Sequence, residues 1–214
     1  MPKIKPGDLV KIHYTGRLAS DSSVFETTDE ETARQGGIWS TASFYGPKLV
    51  VFGKGAMLPG LEDAVVSLNP GQGGTFKIPP EKAFGPRFPE LVRVVPEAEF
   101  RKNGVRPETG LTVMVDRLPA LVKTVSSGRV VLDFNRPFAG QDVEYAVQLL
   151  EVLSEPVEKA RALGTAFGLP VRVESSAGKN RIAISSTGDA KKARGLEAAL
   201  KAAFGGWGEV VIEK

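Results

Sequence analysis

The chain has 214 residues, 42% of them apolar and 25% charged, with 24 glycines and 15 prolines, a globular composition that excludes wholesale disorder and collagen-like repeats. It has no cysteine and one histidine, His13, which excludes disulfide frameworks, thiolate chemistry and cysteine- or histidine-rich metal sites. Net charge is +3, with 18 basic against 18 acidic residues in 1–154 and 10 against 7 in 155–214, too slight a bias for a dedicated nucleic-acid binder.

The run Asp8–Tyr14 reads as a strand with Leu9, Lys11 and His13 on one face and Val10, Ile12 and Tyr14 on the other, which Thr15-Gly16 ends or bends. A short apolar run at Val24-Phe25 leads into a polar excursion from Thr27 to Trp39, with one helical turn expected over Asp29–Arg34. Leu49–Phe52 is a short strand closed by Gly53-Lys54-Gly55. Pro59 opens a helix with Leu61, Ala64, Val65 and Leu68 on one face, which Asn69-Pro70-Gly71 terminates. Thr75–Ile78 returns as a strand.

From Pro86 to about Leu132 the texture changes. A strand over Leu91–Val95 and a helix over Glu97–Lys102 precede strands near Leu111–Val115, Leu121–Val125 and Arg129–Leu132, with Ser126-Ser127-Gly128 as a hairpin turn. The stretch is too long for a loop in a compact fold and reads as an insertion. Val143–Leu150 gives another strand, and Glu155-Pro156 marks a boundary. Residues 155–214 then read as helix, strand, strand, helix, strand. In the second helix Ala193, Leu196, Leu200, Ala203 and Phe204 form a stripe that Gly205-Gly206 stops.

Several sites are absent. Gly53-Lys54-Gly55-Ala56 fails the phosphate-loop pattern at its last position, and no GxSxG elbow occurs. With one imidazole, a two-histidine or Ser-His-Asp arrangement lacks its parts. No apolar run approaches the roughly 18 residues of a membrane span. The expectation is a cytoplasmic protein without membrane association, cofactor or metal.

Four motifs occur in order: VKIHYTG at 10–16, VFETT at 24–28, FGKGAMLPGLEDAV at 52–65 and KAFGP at 82–86, followed by GQDVEYAVQLLEV at 140–152. Through these the chain resembles the FKBP family of peptidyl-prolyl cis-trans isomerases. The insertion between KAFGP and NRPFAG is similar to the insert-in-flap domain of the SlyD-like branch, and the 60-residue tail to the long archaeal type. The resemblance implies an α+β fold: a twisted antiparallel sheet around one helix, an inserted mostly-β domain, and a C-terminal α/β (α-β-β-α-β) domain. Expected domains are 1–86 with 133–154, 87–132 and 155–214.

The activity implied is rotation of X-Pro amides in an apolar cleft, without cofactor or covalent step. Carried over motif by motif, Tyr14, Phe25, Glu26, Leu58, Phe84 and Tyr145 are the catalytic set, and Met57, Leu61 and Phe138 also touch substrate. Leu61 stands where many relatives have a tryptophan floor. Leu91, Val92, Val94 and Phe100 of the insertion would capture unfolded polypeptide; the alternative is that its apolar residues are all buried. Two departures from the family stand out: Glu26 replaces the usual aspartate, and Phe84 a frequent tyrosine. If Glu26 is an imperfect stand-in, Glu26→Asp should preserve or raise activity. Implied partners are unfolded polypeptides with X-Pro bonds, with macrolides as candidate ligands and the C-terminal domain as a candidate homodimer surface. The competing reading is a holdase chaperone with a vestigial isomerase pocket. Removal of 155–214, read as an independently packed domain, is expected to spare both activities.

Overall fold

The computed structural model describes residues 4–176, 179–185, 189–206 and 208–213. They form two compact units, Met1–Ala83 with Asp142–Lys214, and Phe84–Gln141.

The first unit is built on β1 (Leu9–Leu18), the longest early strand. Along one edge it pairs with β3 (Lys48–Val51) at its N-terminal half and β2 (Val24–Thr27) at its C-terminal half. Its other edge pairs throughout with β9 (Val143–Leu153), which in turn pairs with β4 (Gly73–Ile78); every pairing is antiparallel. Thr15-Gly16 does not end β1. The strand continues to Leu18, with a register shift against β2 at Gly16/Arg17, because the glycine serves a close approach there and not a turn.

Strand alternation sends Val10 and Ile12 of β1 and Val143, Tyr145, Val147 and Leu149 of β9 into the interior. Between β2 and β3 lies α1 (Glu30–Gln35), whose N-cap Asp29 accepts from the Thr32 N–H at 2.7 Å. The face of α2 (Pro59–Val66) bearing Leu61, Ala64 and Val65 is buried, and the helix packs on β9 and β4. A Cβ on Gly60 would lie 2.2 Å from Ile78 Cγ2, so α2 sits at a distance that only glycine permits.

In the same unit, α4 (Pro156–Phe167), β10 (Val171–Ser176), β11 (Lys179–Ser185), α5 (Ala190–Phe204) and β12 (Glu209–Glu213) follow the order read from the sequence. The strand order is β10-β11-β12, antiparallel then parallel. This segment does not close its core alone. Leu9 and Val51 belong to the buried cluster of Leu163, Leu196, Leu200 and Phe204, with Leu49 and Leu153 packed against it. The buried Lys159 ammonium donates to Gly7 O at 2.9 Å and Ala203 O at 3.0 Å, tying α4 to the start of β1 and the end of α5.

The second unit is a four-stranded antiparallel sheet in the order β5 (Val92–Pro96), β8 (Arg129–Asp133), β7 (Leu118–Ser126), β6 (Thr112–Val115), with α3 (Glu97–Lys102) after β5. Phe100, Val113, Ala120, Val122, Val130 and Leu132 form its core. Its neck is cross-linked: Arg87 Nη2 pairs with Asp133 Oδ2 at 2.8 Å, and Asn135 donates to Phe88 O while accepting from Phe88 N–H.

Burial pushes the Asp133 carboxyl up, but hydrogen bonds from Arg87 and Asn135 outweigh it and hold the group below the usual carboxylate range. A carboxyl lowered on folding contributes stability above its unfolded pKa of ~3.9 and loses it as pH falls through the folded value. Amide protection factors in β7 and β8 should therefore fall below about pH 4, and less steeply in Asp133→Asn, which starts from a less stable neck. The same slope in both proteins would assign the acid sensitivity elsewhere.

Candidate active site

Gly16 organises the site. It lies opposite Glu26 on β2 and opposite Tyr145 on β9, so three strands bring these residues into one row. A Cβ at Gly16 would stand 2.7 Å from Phe25 Cζ and 3.0 Å from Tyr145 Cε1. The missing side chain is what lets the two rings close over the strand. They meet edge to face, centroids 5.8 Å apart at 82°, and the Tyr14 ring centroid lies 6.0 Å from that of Tyr145.

The Glu26 carboxylate is held at both oxygens. The buried Tyr145 hydroxyl donates to Oε1 in a short hydrogen bond, and the Tyr14 hydroxyl donates to Oε2 in a weaker contact of 3.5 Å. Burial, and next the Glu26 charge, hold both tyrosines above the usual tyrosine pKa, so both remain protonated donors at neutral pH. Lys48 opposes this effect at Tyr14, donating from Nζ to its hydroxyl at 3.2 Å. Tyr14, Phe25, Glu26 and Lys48 line an open cavity of about 390 Å³ with Ile38, Ser43, Phe44 and Tyr45. His13 is occupied structurally, its Nδ1 2.9 Å from Thr28 Oγ1.

Of the residues expected from sequence, Tyr14, Phe25, Glu26 and Tyr145 are brought into mutual contact. Met57 and Leu58 lead into α2 and Leu61 is buried on it; none of the three lines this cavity. Leu58 is the N-cap, its carbonyl accepting from the Leu61 and Glu62 N–H groups. Phe84 and Phe138 pair within the second unit, centroids 5.2 Å apart. There too lie Leu91 and Val92, half-buried, Val94, 61% exposed, and Phe100, a core residue.

Lys48, Phe44 and Tyr45 escaped the sequence reading. Lys48 pairs with Ile12 and so shares a sheet face with Tyr14 two residues along, a placement that only the strand register reveals.

Against known families, the description "FKBP-type peptidyl-prolyl cis-trans isomerase" matches residues 1–113, more than half of the chain. The chain belongs to this isomerase family. The FKBP26 IF domain matches residues 93–138, which span the inserted sheet. A short-type peptidyl-prolyl cis-trans isomerase of Methanocaldococcus jannaschii is 32% identical over 155 residues, covering 72% of this chain and 96% of that protein. The FKBP-type 16 kDa isomerase of Escherichia coli K12 is 27% identical, covering 70% and 93%. A SlyD isomerase of Treponema pallidum is 29% identical over 122 residues, covering 55% and 68%. FKBP-type isomerases act on proline-containing polypeptides.

The site geometry changes the expectation for Glu26. Its extra methylene is what reaches the Tyr145 hydroxyl. Glu26→Asp would withdraw the carboxylate and leave a buried hydroxyl unsatisfied, a cost of about 1–3 kcal/mol. We expect Glu26→Asp to lower stability by about that amount and Tyr145→Phe to recover most of it in the double variant. Urea unfolding of the four proteins measures the coupling; additive effects would show that the hydroxyl does not depend on Glu26.

Proposed function

We propose that this isomerase turns X-Pro bonds in the cavity walled by Tyr14, Phe25 and Glu26 beside Tyr145, and that the inserted unit makes it a folding chaperone. The observation that carries the first part is the Glu26 carboxylate closed off by two tyrosyl hydroxyls, with aromatic rings facing an open cavity. An X-Pro amide rotates over a barrier of ~20 kcal/mol, because resonance stiffens the C–N bond. Water stabilises the planar, more polar amide. Rings that grip the proline and exclude water remove that advantage, so the twisted amide is favoured relative to the ground state. Among the described residues the Leu58 N–H has no acceptor, and it is the donor we assign to the substrate carbonyl. Met57 and Leu61 complete the contacts in this reading.

The chaperone part rests on the insertion. Leu111, Met114, Leu118 and Leu121 are exposed together with Val94, and a cavity of about 570 Å³ opens among Phe100, Val105, Leu111 and Met114. Exposed apolar side chains at this density mark a binding surface for unfolded chain. A client held there meets the isomerase site at millimolar effective concentration.

The test is the full chain on two substrates, an Ala-Pro tetrapeptide and a protein whose refolding is limited by a proline. Catalysis of both, with the larger kcat/KM on the protein, is the expected result. Suppressed aggregation without catalysis of either would favour a holdase with a vestigial pocket.

A further inference from the structure

The cavity at Tyr14 holds a cation that the isomerisation chemistry does not use. Lys48 donates to the Tyr14 hydroxyl at 3.2 Å, and its Nζ lies 5.6 Å from the centre of the Tyr14 ring. An ammonium has three donors, and this contact takes one. Among the described residues Lys48 has no carboxylate within ion-pair distance. The nearby acid, Glu26, has its oxygens occupied by Tyr145 and Tyr14. Lys48 and Glu26 thus both contact the Tyr14 hydroxyl without pairing directly. Its side chain is exposed at the rim of the cavity that Phe25, Phe44 and Tyr45 also line. Rings of Phe25 and Phe44 share these walls with Thr27, Thr28 and Ser43. A proline ring beside a carboxylate therefore finds aromatic contact for the one and, at Lys48, ammonium donors for the other, while the Glu26 carboxylate in the same cavity is turned to the two tyrosyl hydroxyls.

We infer that Lys48 is a specificity-determining residue that selects X-Pro bonds with aspartate or glutamate next to the proline, an assignment that rests on the isomerase site proposed above. The amine remains in water, so the gain is that of an exposed ion pair. It acts on bound substrate and transition state alike, so it appears mainly in KM.

The experiment measures kcat and KM of the full chain on matched tetrapeptides carrying glutamate, alanine or lysine on either side of the proline. On at least one side we expect kcat/KM for the glutamate peptide to exceed that for alanine by roughly three- to fivefold, through KM. The lysine peptide should fall below alanine. In ~1 M salt, where the screening length is ~3 Å, the ratio should approach one. Lys48→Met should abolish the preference, Lys48→Arg should retain it, and Lys48→Glu should reverse it towards lysine. A role for Lys48 in merely holding Tyr14 would change all peptides equally and leave the ratios untouched. Turnover of the alanine peptide with flat ratios on both sides, or a preference that survives Lys48→Met, would overturn the assignment. Absence of turnover on every peptide would instead overturn the isomerase site and this inference with it.

Discussion

Phe25→Ala should lower kcat/KM on an Ala-Pro tetrapeptide at least tenfold, equivalent to ~1.4 kcal/mol in the barrier, while unfolding remains cooperative. The ring stands on the glycine gap at Gly16, edge-on to Tyr145, and forms one wall of the cavity. Its loss opens that wall to water where the amide must twist. It also frees the Tyr145 ring on one side. Strand β2 is short and lies at the sheet edge, with Phe25 only half-buried, so the damage to folding is smaller than for a core phenylalanine. Phe25→Leu keeps an apolar wall without the edge-to-face contact and should fall between. Unchanged turnover in a folded Phe25→Ala protein would remove this residue from the site.

Deleting residues 87–132 and rejoining the chain through a short flap should keep tetrapeptide isomerisation and lower catalysis of protein refolding by roughly 100-fold. Outside the deleted stretch the two sides of the neck already run together: Gly140 N–H donates to Gly85 O at 2.8 Å. A few residues can therefore close the gap. A small soluble peptide at high concentration needs no capture surface, whereas a dilute unfolded protein does. Equal losses on both substrates, in a variant folded by circular dichroism, would place the insertion in the catalytic wall itself.

Removal of 155–214 is no longer expected to be neutral. The stripe on α5 was legible because its period is helical and glycines follow it. That the stripe covers Leu9 and Val51 was not, since alternation assigns Leu9 to a face without saying what lies on that face. Deletion would uncover Leu9, Leu49, Val51 and Leu153 and strip Lys159 from Gly7 O, so lost stability is the expected outcome.

Other elements divide in the same way. The helix over Glu97–Lys102 and the turn at Ser127-Gly128 were readable from local chemistry, with Gly128 suited to its φ of +71°. The hairpin at Asp116-Arg117 was not, because both residues take positive φ without a glycine to announce it. At the candidate site, motif order singled out Phe25, Glu26 and Tyr145, which the fold brings together. The reason for a glutamate became visible only across strands, where Gly16 lets its carboxylate and the Tyr145 hydroxyl meet. Lys48 was hidden for the opposite reason: an isolated lysine before a strand looks like solvated surface until its pairing with Ile12 is known.

The most direct measurement places an Ala-Pro tetrapeptide with isotope-labelled full-length chain and records, in one sample, cis/trans exchange of the peptide and shifts of the protein resonances. The proposed site predicts catalysed exchange with saturable shifts at Tyr14, Phe25, Glu26 and Tyr145, half-saturating near the kinetic KM, and none at β10 to β12. Catalysed exchange with saturable shifts confined to residues elsewhere would contradict it.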